Sequence, residues 1–230
     1  MIFEDIQQMR FDCLRTRVKI CGITDPDDAH AAVAAGADAL GFVFHKPSAR
    51  YLAPEHAAGI IRRLPAFVSA VGVVVDLEPA ELDNIARTSG VGYFQFHGSE
   101  DPPACEAAGL PFLKALRVKP DTDIHSDAVR FSRARGFLLD AFVEDMPGGT
   151  GSMFDWSRIP ASMPAPVFLA GGLTMDNVFD AVRTVRPYGV DVSSGVERSP
   201  GEKDRELIRT FMQSVRDADN QTRQARLEDS

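Results

Sequence analysis

The sequence predicts a single-domain α/β protein of the (β/α)8 class, the TIM barrel, and three observations predict it. Eight short apolar runs alternate with helical patterns along the chain. The runs are continuous rather than polar at every second residue, which marks parallel strands covered on their outer face. Four of the helical patterns open on a proline, a βα boundary signal repeated in register with the strands. A chain of 230 residues that is 44% hydrophobic can bury one sizeable core, which suits one such barrel. The rival, an open doubly wound sheet, calls for G-x-G-x-x-G after its first strand, where Cys21-Gly22-Ile23-Thr24-Asp25 stands instead.

The strands are read at Val18 to Cys21, Ala39 to Phe44, Ser69 to Val75, Tyr93 to His97, Phe112 to Val118, Gly136 to Asp140, Val167 to Ala170 and Gly189 to Ser193. Between them, Ile60, Ile61 and Leu64, then Leu82, Ile85 and Ala86, recur at helical spacing. Asp25-Pro26, Ala53-Pro54, Glu78-Pro79 and Asp101-Pro102 mark helix starts. Proline at the first helical position forfeits no hydrogen bond, and an acidic residue before it caps the helix. A helical pattern opens at Thr174 and carries Val178, Ala181, Val182 and Val185. The last helix is read from Asp204 to about Asp217, leaving residues 218–230 as a polar, frayed tail. The barrel domain is thus expected over 17–217. Residues 1–16 lie open between an extra helix, a disordered arm and an upstream start, with Phe3, Ile6, Met9 and Phe11 hinting at packing.

The formal net charge of −8 argues against nucleic-acid and anionic-membrane partners, which need dense Lys/Arg patches. No apolar stretch approaches the ~20 residues of a membrane span, and Met1 to Arg17 carries charges where a signal peptide needs an apolar centre. A cytoplasmic protein is expected. Its 3 cysteines, Cys13, Cys21 and Cys105, fall in no metal-ligand spacing and suit a reducing compartment. Cys13 and Cys105 read as structural. Monomer and homodimer both stay open.

Barrels of this class place reacting groups at the C-terminal ends of their strands. On strands seven and eight these ends are two Gly/Ser-rich turns, Gly171-Gly172 and Ser193-Ser194-Gly195. Glycine lets an oxyanion approach backbone N–H groups, so two such turns on successive strands read as the halves of a phosphate cradle. Cys21 at the end of strand one is either a buried small hydrophobe or a thiolate base or nucleophile whose pKa nearby helix N-termini would lower. Asp140 at the end of strand six is either a loop cap or an acid/base partner for Cys21. Alternation puts Lys19 with Cys21, Gln95 with His97 and Asp191 with Ser193 on the same inward side. Strands one and eight are neighbours in a closed barrel, so Lys19 and Asp191 are expected to form a buried ion pair beneath Cys21, joined by Gln95. The loop after Asp140 carries Pro147-Gly148-Gly149-Thr150-Gly151 without a following Lys-Ser/Thr, which suits a lid adding N–H groups on the phosphate side better than a nucleotide loop.

Val18-Lys19-Ile20-Cys21-Gly22-Ile23-Thr24, Gly41 to Phe44 with Ser48-Ala49-Arg50-Tyr51, Gln95-Phe96-His97-Gly98, Leu138-Leu139-Asp140, Gly148 to Gly151 with Phe154-Asp155-Trp156, Ala170-Gly171-Gly172-Leu173, and Gly189 to Glu197 with Pro200-Gly201 and Lys203-Asp204 occur in one order. This set resembles the phosphoribosylanthranilate isomerases of tryptophan biosynthesis, over about Arg17 to Val215. The resemblance implies a cofactor-free Amadori rearrangement of N-(5-phosphoribosyl)anthranilate, a phosphorylated anionic small molecule, to 1-(2-carboxyphenylamino)-1-deoxyribulose 5-phosphate. It implies Asp140 as general acid at the furanose oxygen, Cys21 as base at C2, and Arg50 on the anthranilate carboxylate, with Ala49 here where the family carries proline. Gln95 and His97 either contact substrate or organise the pocket floor, and Gly149, Gly171, Gly172, Asp191, Ser193, Ser194 and Gly195 complete the expected binding set. A histidine-pathway aminoaldose isomerase would carry aspartate in place of Cys21. A silent phosphate-binding barrel would have no need of Cys21, Asp140 and Arg50 together.

Overall fold

The computed structural model describes residues 15–141 and 155–228. Strands β1 (Arg17–Cys21), β2 (Ala39–Val43), β3 (Ser69–Val74), β4 (Tyr93–Phe96), β5 (Phe112–Val118), β6 (Gly136–Ala141), β7 (Val167–Ala170) and β8 (Gly189–Val192) form a closed parallel barrel in sequence order. Around it lie α1 (Pro26–Ala35), α2 (Pro54–Ile61), α3 (Pro79–Ser89), α4 (Pro102–Ala107), α5 (Ile124–Val129), α6 (Val178–Val185) and α7 (Arg205–Glu228). The eight predicted strands are all present, with ends shifted by no more than a residue. Proline opens α1, α2, α3 and α4 as expected, and Asp25 and Asp101 accept from Asp27 N at 2.7 Å and Ala104 N at 2.9 Å.

Two helix boundaries differ from expectation. Helix α6 begins at Val178 rather than Thr174, because Asn177 uses its side chain to close the preceding turn: Oδ1 accepts from Thr174 N and Nδ2 donates to Gly172 O, both at 2.9 Å. Helix α7 continues to Glu228 instead of fraying after Asp217. Ala218 is fully buried, and the Asp219 carboxylate accepts from Thr16 N at 2.8 Å and Thr16 Oγ1 at 2.7 Å, so the extra turns are tied to the start of β1. Among the described residues no helix is long and apolar enough to cross a membrane.

The strands sort their residues as the pleat requires. Ile20, Leu40, Phe42, Val74, Phe94, Phe137, Leu139 and Val190 belong to the large core shared with the helices. Ala115, Leu138 and Ala170 pack with Phe168 in a separate cluster inside the barrel. The Phe168 ring has room because its neighbours lack side chains: a Cβ on Gly136 or Gly189 would stand 2.9 or 2.7 Å from ring carbons. Higher up, Cys21, Val43 and Val73 make a second inner cluster.

Closure brings Lys19 opposite Asp191 in the β1–β8 register, and Lys19 Nζ donates to Asp191 Oδ1 at 2.7 Å with both side chains buried. The expected ion pair is therefore present. Lys19→Met would leave a buried carboxylate unpaired and lower unfolding free energy by about 3–5 kcal/mol, whereas Lys19→Met with Asp191→Leu should recover most of it. Denaturant titration checks this, and a single variant within about 1 kcal/mol of the parent would contradict the pair's structural role.

Candidate active site

Three groups of side chains meet at the C-terminal mouth of the barrel. The first surrounds Cys21. Its partner in the β1–β2 register is Gly41, and a Cβ there would lie 2.7 Å from Cys21 Sγ and 2.9 Å from Lys19 Nζ. The missing side chain is thus the space in which thiol and ammonium come together, with Lys19 donating to Asp191 and its charge lying beside Cys21. Burial opposes the Lys19 charge, but Asp191 and Cys21 outweigh it and hold the ammonium above its ordinary range. For Cys21 the sequence expectation is corrected: burial pushes the thiol above its ordinary value of 9.0, and Lys19 and Lys203 offset this only in part. The apolar walls Val43 and Val73 account for the difference, since they desolvate the sulfur.

The second group runs across β4 to β6. Gln95 Nε2 lies 3.1 Å from His97 Nδ1, and His97 Nε2 lies 3.1 Å from Asp140 Oδ2. An amide nitrogen only donates, so Nδ1 accepts and the remaining imidazole hydrogen sits on Nε2, directed at Asp140. Gln95 therefore serves His97 rather than joining Lys19 and Asp191 as expected. The side chain of Asp140 keeps about a quarter of its surface exposed, 27%, and the loop it would alternatively cap lies outside the described residues.

The third group was missed by sequence reasoning as a cluster. After β8, a short turn leads to a hairpin, β9 (Glu197–Ser199) and β10 (Glu202–Lys203). Arg50 Nε and Nη2 donate to Glu197 Oε1 and Oε2 at 2.8 and 2.6 Å, and Lys203 Nζ donates to Glu197 Oε1 at 2.6 Å and Ser193 O at 3.2 Å. Burial would raise the Glu197 carboxyl, but Arg50 and Lys203 hold it below the ordinary carboxylate range. Lys203 is fully buried, and that burial pulls its ammonium below the ordinary value despite Glu197. The readable signal was Pro200-Gly201, a turn pair whose glycine adopts φ +87° and folds Lys203 back onto Glu197. Lys19, Arg50 and Lys203 set three cations against the carboxylates of Asp191 and Glu197. A Cys21 thiolate would make that set neutral.

The paired turns lie against each other. Gly171 and Gly172 adopt φ +74° and +69°, consecutive left-handed residues that only glycine takes without strain. A Cβ on Gly195 would stand 2.0 Å from Leu173 O, so the β8 turn sits directly on the β7 turn. Ser194 is exposed, whereas Ser193 Oγ is buried beside Gly22 with no hydrogen-bond partner among the described residues. Gly149 and the expected lid lie outside the described residues, as does Cys13. Cys105 is fully buried and its thiol is pushed up to about 12 by that burial, which makes it inert. Gly195→Ala should force the two turns apart and weaken inhibition by inorganic phosphate about tenfold or more; an unchanged inhibition constant would mean the turns do not act as one cradle.

The model of the N-(5'-phosphoribosyl)anthranilate isomerase family matches residues 18–214. The chain is 52% identical over 203 residues to N-(5'-phosphoribosyl)anthranilate isomerase of Thiobacillus denitrificans, covering 88% of this chain and 99% of that protein. It is similar to the crystal structure of phosphoribosyl anthranilate isomerase of Thermotoga maritima, with TM-score 0.79, 38% identity, and coverage of 88% of this chain and 99% of that one; that enzyme is described as dimeric. It is also similar, with TM-score 0.75, 37% identity and coverage of 88% and 99%, to a phosphoribosyl anthranilate isomerase in complex with reduced 1-(o-carboxyphenylamino)-1-deoxyribulose 5-phosphate. With the family model spanning nearly the whole barrel, the chain belongs to the N-(5'-phosphoribosyl)anthranilate isomerase family.

Proposed function

We propose that Cys21 and Asp140 are the base and the acid with which this chain isomerises N-(5-phosphoribosyl)anthranilate in tryptophan biosynthesis. The activity is that of its family. The observation that carries the assignment of roles is the placement of one thiol beside an ammonium and one carboxyl beside an imidazole at the same barrel mouth. Asp140 gives a proton to the furanose oxygen as the C1–O bond breaks, and the aniline nitrogen lone pair forms an iminium. The Cys21 thiolate removes the proton from C2, and the C–H electrons flow through C1 to the iminium nitrogen. The resulting enolamine tautomerises to the ketone, so the substrate supplies its own electron sink.

The turns at Gly171-Gly172 and Ser193-Ser194-Gly195 support phosphate binding through their N–H groups, with Gly149 as a further donor. Arg50 supports recognition of the anthranilate carboxylate. Glu197 takes its Nε/Nη2 edge, which leaves the edge formed by Nη1 and the second Nη2 hydrogen for a bidentate pair. Asp191 acts beneath the substrate by holding Lys19, while Gln95 and His97 organise Asp140 from the floor of the pocket. A cytoplasmic homodimer, by analogy with the dimeric Thermotoga maritima enzyme, is the expected state; sedimentation at the mass of one chain would overturn it.

Cys21→Ala and Asp140→Asn should each lower kcat by about 10²–10⁴-fold with the fold intact, read from the fluorescence change of the anthranilate group. Turnover near the parent value in either variant would end the assignment. The competent pair holds one proton, on Asp140, with Cys21 ionised. As pH rises through the raised thiol value that single proton is lost, so kcat/KM should fall only above 9.0, the ordinary thiol value. An alkaline limb below that, or one that persists in Cys21→Ala, would contradict the reading.

A further inference from the structure

We propose that Glu197 makes the site selective for a substrate bearing a carboxylate on its aromatic ring, by fixing which edge of Arg50 the substrate meets. The inference rests on the reading that Arg50 receives that carboxylate. The arginine is held at both its root and its head.

The stem of Arg50 threads past Gly22: a Cβ there would lie 2.6 Å from Arg50 Cδ and 3.3 Å from Cγ, and Gly22 sits at φ +78°. At the root, Arg50 N donates to Ser48 Oγ at 3.1 Å. At the head, the Nε/Nη2 edge is taken by Glu197, whose side chain is only 4% exposed. A guanidinium has two edges that can meet a carboxylate in a bidentate manner, and Glu197 occupies one. Among the described residues no hydrogen bond takes the second edge, and the plane of the head is set by the first. Arginine held this way loses little further freedom when an anion arrives, which is how preorganisation becomes affinity. With Ala49 before it rather than a rigid proline, the fixing comes from these side-chain contacts.

Glu197 also links the two ends of the site. Lys203 shares Glu197 Oε1 and donates to Ser193 O in the β8 turn, while its own N–H is anchored on Asp28 Oδ2 at 2.9 Å. Thr24 Oγ1 donates to Gly201 O at 2.5 Å, tying the β1 loop to the same hairpin. The separation between the free edge of Arg50 and the proposed phosphate turn is therefore set through one carboxylate. A substrate is measured by where its two anionic groups fall, and Glu197 is the positioning residue of that measure.

The test compares N-(5-phosphoribosyl)anthranilate with N-(5-phosphoribosyl)aniline, which lacks the ring carboxylate, in the parent, Glu197→Gln, Glu197→Asp, Arg50→Met and the Glu197→Gln/Arg50→Met double variant. Glu197→Gln should cut the kcat/KM preference for the carboxylated substrate by about tenfold or more, chiefly through KM, with Glu197→Asp falling between it and the parent. In the Arg50→Met background Glu197→Gln should leave the preference where Arg50→Met set it, because the two residues act through one contact. Equal losses on both substrates would overturn the proposal in favour of a general structural role. A lower KM for the carboxylated substrate in Glu197→Gln would overturn it by showing that Glu197 competes with the substrate. Full preference retained in Arg50→Met would overturn the Arg50 reading itself. Preference lost in Arg50→Met but kept in both Glu197 variants would spare that reading and remove Glu197. Should Glu197→Gln fail to fold, Glu197→Asp carries the same comparison.

Discussion

The ion pair between Lys19 and Asp191 is the constraint around which the upper half of the barrel is arranged. Two charges taken out of water are costly, and their mutual attraction offsets that cost only when the geometry is close and the remaining hydrogen-bonding capacity is used. Here the pair spans the β1–β8 seam at 2.7 Å, and the ammonium also lies beside the Cys21 sulfur. Everything nearby accommodates this. Gly41 withdraws its side chain to admit both groups, and Val43 and Val73 wall the sulfur. A hydrophobic pair at the same positions would pack at lower cost, so the charges make sense as equipment for the thiol rather than as glue.

Around that pair the site is a small closed circuit of charge. Buried ions in such a circuit are each stabilised by their neighbours and each destabilised by burial, which is why Glu197 ends below its ordinary range while Lys203 also ends below its own. An excess of one positive charge invites an anion. Burial keeps the proton on Cys21 at neutral pH, so the anions drawn to that field on the proposed reading are the carboxylate and phosphate of the substrate. The reactive ionisation state and the binding of a polyanion are therefore coupled by simple electrostatics.

Much of this was legible in the residues. Strand positions followed from apolar runs, helix starts from Pro26, Pro54, Pro79 and Pro102, and the β1–β8 ion pair from closure plus alternation. Those inferences work because they rest on local chemistry or on a topological necessity. What escaped was set by tertiary geometry. Gly41 reads as an ordinary strand glycine until its neighbours are seen to occupy the space of its Cβ. Gln95 sits on the inward side as expected, yet its partner is two residues along its own strand, a choice that sequence pattern does not encode. The Cys21 thiol lies above its ordinary range because desolvation outweighs the neighbouring charges, and no motif reports how dry a strand end becomes. The Glu197 cluster joins loops from opposite ends of the chain, 147 residues apart at Arg50, and no periodicity reports such a contact.

Lys19 and Asp191 are separated by 172 residues, so they cannot meet until almost the whole barrel has left the ribosome and closed. Contacts of such separation form late, since the entropy of closing the intervening chain must be met before they contribute. A nascent or truncated chain that lacks β8 therefore holds Lys19 and Cys21 without Asp191, and has only the β7 half of the paired turns. The charged layer beneath the thiol is complete only when the last strand arrives, so the site is assembled in the same step as closure.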